Sequence, residues 1–385
     1  MHRLQNTHPA LPPFIDRIKA QSQAIEEARQ FSGPLATEMI DAGLFRMLVP
    51  KKFGGLEVHP SVLIDTLIAA GAADGAVGWN LMIGNTTGLL SASLPTEWSE
   101  RMYLADPAAV TVGVTAPLGK AVREGNDLRV NGRWPFGSGS QIATWICGGC
   151  QVIEDGAPKP GPHGVPETLL VFFHRDDVII HDNWRVSGLR GTGSNDIEVK
   201  DLLVPEGRWV VLGGKPRIDA PLYRFPTLGL LALGVASVAV GIAERAIDEF
   251  ITLAGGKVPT GSVRPLANRS KAQQDLAEAE AAVAAATAFI HQTVGAIYDH
   301  TAAGGKVGME EKARLRLAAT HATWSSVGAV DKLYHASGGS AIYEKNAMQR
   351  CLRDVHVTTQ HLMVGQPTLE VVGKVMLGID PKTLL

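Results

Sequence analysis

Residues 226–243 read PTLGLLALGVASVAVGIA, eighteen positions without a charge, and the meaning given to them decides the fold. An uncharged run of that length sits at the threshold for spanning a bilayer. Its richness in Gly, Ala and Ser, and its abrupt end at Glu244 and Arg245, fit a helix buried among other helices better than a helix in lipid. Downstream, helical patterning recurs in three further long segments, roughly 265–300, 309–337 and 343–376, after a first at 227–254. Gly255-Gly256 and Gly304-Gly305 break the segments, and Ala-rich stretches such as 276–288 allow helices to approach closely. Four long helices with short links predict a four-helix bundle.

Upstream of that run the character is different. From about Val110 to Val211 the chain consists of short β-type runs, at 110–114, 128–130, 144–152, 169–173, 178–180 and 197–204. Turn residues such as Gly125-Asn126-Asp127 and Asn131-Gly132 separate them, which predicts an antiparallel β domain. The Pro- and Gly-rich segment 154–166 reads as a surface loop. Residues 14–110 are helical in pattern: Ile15, Ile18, Ile25 and Ala28 recur at helical spacing, Pro34 starts a second helix through Leu44, and Pro60 starts a third. The expected class is α+β, with an N-terminal helical domain (1–110), a central antiparallel β domain (111–215) and a C-terminal four-helix bundle (216–385).

Composition narrows the function. The chain has 385 residues, 45% of them hydrophobic and 19% charged, and a formal net charge of −2, as expected of a soluble globular protein. It carries no basic stripe of the kind a nucleic-acid surface needs. Three cysteines, Cys147, Cys150 and Cys351, do not make a disulfide framework and fit a reducing compartment, hence a cytoplasmic location. Met1 to Phe14 contains no apolar signal core. No G-x-G-x-x-G follows a strand, so a nicotinamide-binding domain is not expected within the chain. Cys147 and Cys150 have C-x-x-C spacing but no second ligand pair, so no metal site is expected.

The order helices, β domain, helical bundle resembles the acyl-CoA dehydrogenase superfamily, and short motifs in matching order carry the resemblance across nearly the whole chain. They are Gly43-Leu44-Phe45 with Val49-Pro50 and Phe53-Gly54-Gly55, then Gly113-Val114-Thr115-Ala116-Pro117, then Asn131-Gly132-Arg133-Trp134-Pro135-Phe136. Next come GLRGTGS at 188–194 with Val204-Pro205, and finally Ser337-Gly338-Gly339 with Arg353-Asp354. The resemblance implies a flavin. Its pyrimidine edge would meet backbone groups of the segment containing Gly113 and Thr115, with Trp134 or Phe136 covering a face of the ring. Its phosphate would sit at Ser337, Gly338 and Gly339, if these open a helix, with Arg264 or Arg269 nearby.

Within the superfamily the sequence departs from the dehydrogenases. Their carboxylate base commonly follows the Arg-Asp pair, and here no carboxylate occurs between Asp354 and Glu370; the alternative stretch, 223–243, contains none either. Leu352-Arg353-Asp354-Val355-His356 with His361, and Trp134, Phe136, Ser138 and Gly139, instead resemble the signatures of two-component flavin-dependent monooxygenases, a branch that includes hydroxyphenylacetate and steroid-ring hydroxylases and dibenzothiophene oxygenase. That resemblance implies an oxygenase component that takes reduced flavin, FMN ahead of FAD, from a separate NAD(P)H:flavin reductase. It would use O2 to hydroxylate an aromatic or other hydrophobic small molecule through a flavin C4a-hydroperoxide. Ser138 would hold flavin N5, and His361 would accept a substrate proton. His356 remains open between a catalytic and a structural role. Gly78-Trp79 matches a pair that some relatives follow with a histidine; here the matching position is Asn85, and Trp79, Met82 and Asn85 are expected to line the substrate pocket. The resemblance further implies a homotetramer in which a neighbouring subunit helps hold the flavin. Two alternatives stand beside this reading: an FAD-bearing acyl-CoA dehydrogenase with a displaced base, and a non-catalytic binding protein on the same fold.

Overall fold

A computed structural model describes residues 6–161, 165–211 and 213–383, so the start of the Met1–Phe14 stretch and part of the 154–166 loop lie outside the described residues. Five helices come first: α1 (Pro12–Ala28), α2 (Pro34–Asp41), α3 (Pro60–Ala73), α4 (Gly75–Gly88) and α5 (Thr96–Tyr103). Three of them, α1, α2 and α3, carry a proline in the first turn, where its missing N–H costs nothing. The third helix expected from Pro60 is α3, and α4 follows it in tandem. Asp74 leaves the helical conformation between them, and its carboxylate caps α4 by accepting from Ala76 N and Val77 N at 2.9 and 3.1 Å. Every residue of α4 is buried.

The strands follow as β1 (Thr111–Glu124), β2 (Asp127–Trp134), β3 (Trp145–Glu154), β4 (Ala157–Pro158), β5 (Thr168–His174), β6 (Ile179–His181), β7 (Asp196–Val204) and β8 (Trp209–Val211). They form one sheet in the order β6-β7-β2-β1-β3-β5-β8, with β4 paired to β3. The pairings are antiparallel, as expected, except that β1 and β3 run parallel. The reason is the connection after β2, residues 135–144, which returns the chain to the end of the sheet where β1 began. Asn131-Gly132 does not turn the chain but lies within β2 as a register shift against β7.

After α6 (Pro221–Arg224) come the long helices α7 (Thr227–Gly256), α8 (Ser270–Ala302) and α9 (Met309–Ser337), then α10 (Ala347–Thr358) and α11 (Pro367–Met376). The fourth bundle segment, expected as one helix over 343–376, is therefore two helices separated by the turns of residues 359–366. Pro367 at the first turn of α11 lacks the N–H that a continuous helix would require. α7 and α8 are both long and apolar enough to cross a membrane by composition, but the apolar window of α7 is 83% buried against protein. Small residues allow that burial. A Cβ on Gly241 would lie 2.3 Å from Ile68 O, so α7 touches the backbone of α3, as it does for no larger residue.

Candidate functional site

A cavity of about 420 Å³ opens where α4, β1, the 135–144 connection, the 184–194 loop, the start of α7 and the turns after α10 meet. Its lining is mostly apolar and aromatic: Trp79, Ile83, Leu90, Leu118, Phe136, Trp184, Leu228, Leu231 and Leu362. The polar groups are few: Thr86, Thr87, Thr115, Ser138, Thr192, Ser194, Thr227, Gln360 and His361. Among the described residues no aspartate, glutamate, lysine or arginine lines it.

Ser138 sits at the centre of a chain of hydrogen bonds. Trp79 Nε1 donates to Ser138 Oγ at 3.2 Å. Ser138 Oγ lies 2.6 Å from Ser194 Oγ, Ser194 Oγ lies 2.6 Å from Thr192 Oγ1, and Thr192 Oγ1 donates to Leu189 O at 2.9 Å. All three hydroxyl-bearing residues are buried. The loop that brings Thr192 and Ser194 here is held in unusual backbone geometry: Leu189 has φ +50°, a left-handed value that a branched side chain seldom adopts. Across the cavity mouth Phe136, at φ +67°, stands edge-on to Trp184 with ring centroids 6.2 Å apart. Such departures from ordinary backbone geometry concentrate at functional sites.

One wall is a strand edge. β1 pairs with β2 only from Lys120 onward, while its pairing with β3 jumps from Val114 to Pro117. Residues 113–116 therefore present extended backbone whose N–H and C=O groups on the side away from β3 have no strand partner. These groups, on a half-buried edge that lines the cavity, are free to pair with a planar polar ligand.

His361 closes the opposite side, edge-on to Trp79 at 5.8 Å. Burial, and secondarily the nearby Arg316 guanidinium, push its pKa down to about 4, so the ring is neutral at pH 7. Met363 N donates to its Nδ1 at 3.3 Å. The proton of the neutral ring then belongs on Nε2, and His361 meets a ligand as a donor. Accepting a substrate proton, the role expected from the sequence, would require that contact to break.

The sequence-predicted residues divide into two groups. Gly113, Thr115, Phe136, Ser138, Trp79 and His361 come together around the cavity. The others do not. Trp134 is fully buried; its Nε1 donates to Gly149 O at 2.7 Å and its ring packs on Phe173, so it fills the sheet core and covers no cavity face. Asn85 is spent on backbone: its Oδ1 accepts from Met47 N at 2.7 Å and its Nδ2 donates to Leu44 O and Leu81 O, both at 2.9 Å. Met82 is buried in the contact between α4 and α7, against Gly234. Arg264 is exposed in the loop between α7 and α8. Ser337, Gly338 and Gly339 close α9 and enter a single 3-10 turn rather than opening an α-helix; Ser337 O accepts a hydrogen bond from Lys257 Nζ at 2.6 Å. A helix C-terminus offers carbonyls, which repel a phosphate. His356 bonds Asp331 at 2.8 Å on the exposed side of α10. Cys147 and Cys150 are free and buried, and burial pushes the Cys147 thiol up to about 12. Among the described residues no cluster of His, Cys, Asp and Glu is placed to hold a metal ion.

Thr192, Ser194, Gln360 and Leu228 were not singled out as site residues from sequence. Thr192 and Ser194 lay within the GLRGTGS motif, and their paired hydroxyls two positions apart were the available signal.

A fold of this order around an acid-free cavity defines a class, and comparison with known proteins agrees with it. A family profile described as "Acyl-CoA dehydrogenase, C-terminal domain" matches residues 233–366. An indole-3-acetate monooxygenase of Pseudomonas putida is 33% identical over 97% of this chain and 94% of its own. The oxygenase component of an FADH(2)-dependent resorcinol hydroxylase from Rhizobium sp. is 27% identical, covering 95% of this chain and 93% of its own. The crystal structure of the HsaA monooxygenase from Mycobacterium tuberculosis superposes with a TM-score of 0.89 at 27% identity, over 100% of both chains. The chain belongs to the oxygenase subunits of the flavin-dependent monooxygenases, on the acyl-CoA dehydrogenase fold. It is an oxidoreductase that depends on reduced flavin, and a separate flavin reductase is implied.

Proposed function

We propose that this chain hydroxylates a neutral or weakly polar aromatic molecule, with reduced FMN as the flavin. The flavin supplies the activation of O2 when bound. The unpaired backbone of 113–116, containing Gly113 and Thr115, meets the pyrimidine edge of the ring, Ser138 meets N5, and Phe136 and Trp184 cover the exposed end. The substrate would lie against the wall formed by Trp79, Ile83, Leu228 and His361, where the His361 Nε2–H would donate to a substrate oxygen. The apolar lining keeps water from the reacting atoms.

The observation that carries this reading is the cavity's content: an imidazole and hydroxyls, and no carboxylate. An acyl-CoA dehydrogenase needs a carboxylate there to take the α-proton, so that alternative has no base. An NAD(P)H:flavin reductase delivers the reduced flavin, since the chain has no nicotinamide-binding motif of its own. A homotetramer is supported by apolar side chains left at the surface of the C-terminal helices: Ile342, Tyr343, Met376 and Leu377 are each at least 60% exposed. Three buried free thiols support a cytoplasmic location.

The test supplies anaerobically reduced FMN, then O2, with a panel of phenols and indoles, and measures hydroxylated product against hydrogen peroxide. Product with little peroxide is expected for at least one aromatic, together with a colourless protein on purification. Tightly bound yellow flavin bleached by an acyl-CoA would overturn the assignment.

A further inference from the structure

The hydroxyl chain around Ser138 has a direction. Four donors enter it: the Trp79 indole N–H and one O–H each from Ser138, Ser194 and Thr192. Four contacts must be filled: Trp79 to Ser138, Ser138 to Ser194, Ser194 to Thr192, and Thr192 to Leu189 O. The indole N–H only donates and the Leu189 carbonyl only accepts. One assignment alone fills all four contacts: every hydroxyl donates toward Leu189. Ser138 Oγ then spends its proton on Ser194 and one lone pair on Trp79, and its remaining lone pair is left for the cavity it lines.

The two redox states of a flavin differ at N5. The reduced ring carries a proton there and donates; the oxidised ring carries a lone pair and needs a donor. We propose that Thr192 and Ser194 are positioning residues that fix Ser138 as a hydrogen-bond acceptor and so make the site select reduced over oxidised flavin. This rests on the reading that Ser138 meets N5. Holding oxidised flavin equally well would require Ser138 to donate into the cavity, which leaves one of the four contacts without a donor. The oxidised product is thereby released to the reductase, and the reduced form is taken up, without a separate conformational switch.

The experiment measures dissociation constants for oxidised FMN and, anaerobically, for reduced FMN, in the full-length protein. Wild type binds the reduced form more tightly. In Ser194→Ala the Ser138 proton loses its acceptor and turns into the cavity; in Thr192→Val, Ser194 turns back and donates to Ser138. In both, the ratio of oxidised to reduced dissociation constants falls by about five- to tenfold, the scale of one hydrogen bond. The two-electron potential of the bound flavin falls by about 30 mV for each tenfold change in that ratio. Thr192→Ser keeps the hydroxyl and keeps the wild-type ratio, which separates polarity from packing. If Ser138→Ala shifts the ratio while Ser194→Ala and Thr192→Val, with unchanged thermal unfolding, leave it at the wild-type value, the directional chain is wrong and the N5 contact stands. If Ser138→Ala changes neither affinity, Ser138 does not meet the ring, and the underlying reading fails with it.

Discussion

Asp354 Oδ1 accepts a 2.6 Å hydrogen bond from the backbone N–H of Leu189, the residue whose carbonyl ends the hydroxyl chain from Ser138. Two sequence motifs 165 residues apart thus meet at a single peptide. The neighbouring arginine completes the joint: Arg353 bonds Ser187 O and Glu26 on α1, each at 2.5 Å. The approach is close enough that a Cβ on Gly188 would lie 2.4 Å from Arg353 O.

Removing that anchor should loosen the loop. Asp354→Ala leaves the Leu189 N–H buried without a partner, a loss of about 1–3 kcal/mol. Chemical denaturation is expected to register it, along with more hydrogen peroxide per product formed. Asp354→Asn, which keeps an oxygen acceptor, should recover most of both; equal damage from the two variants would mean that charge rather than the acceptor matters.

Two buried groups give stability opposite pH trends. Burial raises Asp354 to about 7, so the folded state holds a proton that the unfolded carboxyl releases above its ordinary value of 3.8; this contribution is lost as pH rises towards 7. His361 is lowered to about 4 from 6.5, so the unfolded state binds the proton first and stability is lost as pH falls through that window. Melting temperature against pH should therefore fall less between pH 6.5 and pH 4 in His361→Gln than in the wild type.

The tautomer assigned to His361 makes a prediction about rate. If its Nε2–H donates, His361→Gln, which retains an N–H donor, should keep about five- to tenfold more kcat than His361→Leu. A proton-accepting role predicts instead that the two are equally poor, and that activity titrates with the ring.

Asn85 and Trp134 test structural roles against site roles. Trp134→Ala should cost about 3–5 kcal/mol by opening a cavity in the sheet core. Asn85→Ala strips partners from Met47 N–H, Leu44 O and Leu81 O and should cost about 1–3 kcal/mol. Neither should change which aromatic is preferred, whereas Ile83→Ala, on the cavity wall, should admit a bulkier one. A substrate shift in Asn85→Ala with unchanged stability would return that residue to the pocket.

The elements were legible where local pattern decides them. Proline at helix starts, glycine at helix ends and the 226–243 run gave the order of layers, and Ser138 and His361 were read as site residues that now face one cavity. What escaped depended on three-dimensional context. Trp134 and Phe136 are two residues apart in a strand-like motif, but the left-handed turn at Phe136 breaks the alternation, so one fills the core and the other guards the cavity mouth. Ser337-Gly338-Gly339 reads equally well at either end of a helix, and only the path of α9 decides. Asn85 lies on a helix buried on every side, where composition does not distinguish a pocket wall from a backbone clamp.

The interruption between α10 and α11 has an evolutionary meaning. The sheet and the hydroxyl chain that grip the oxygen-activating ring belong to one part of the molecule, while Gln360, His361 and Leu362 sit on a short connector outside any helix. Natural selection, or a library over residues 359–366 that keeps His361, is free to exchange the molecule being oxidised while the machinery that handles oxygen is inherited intact.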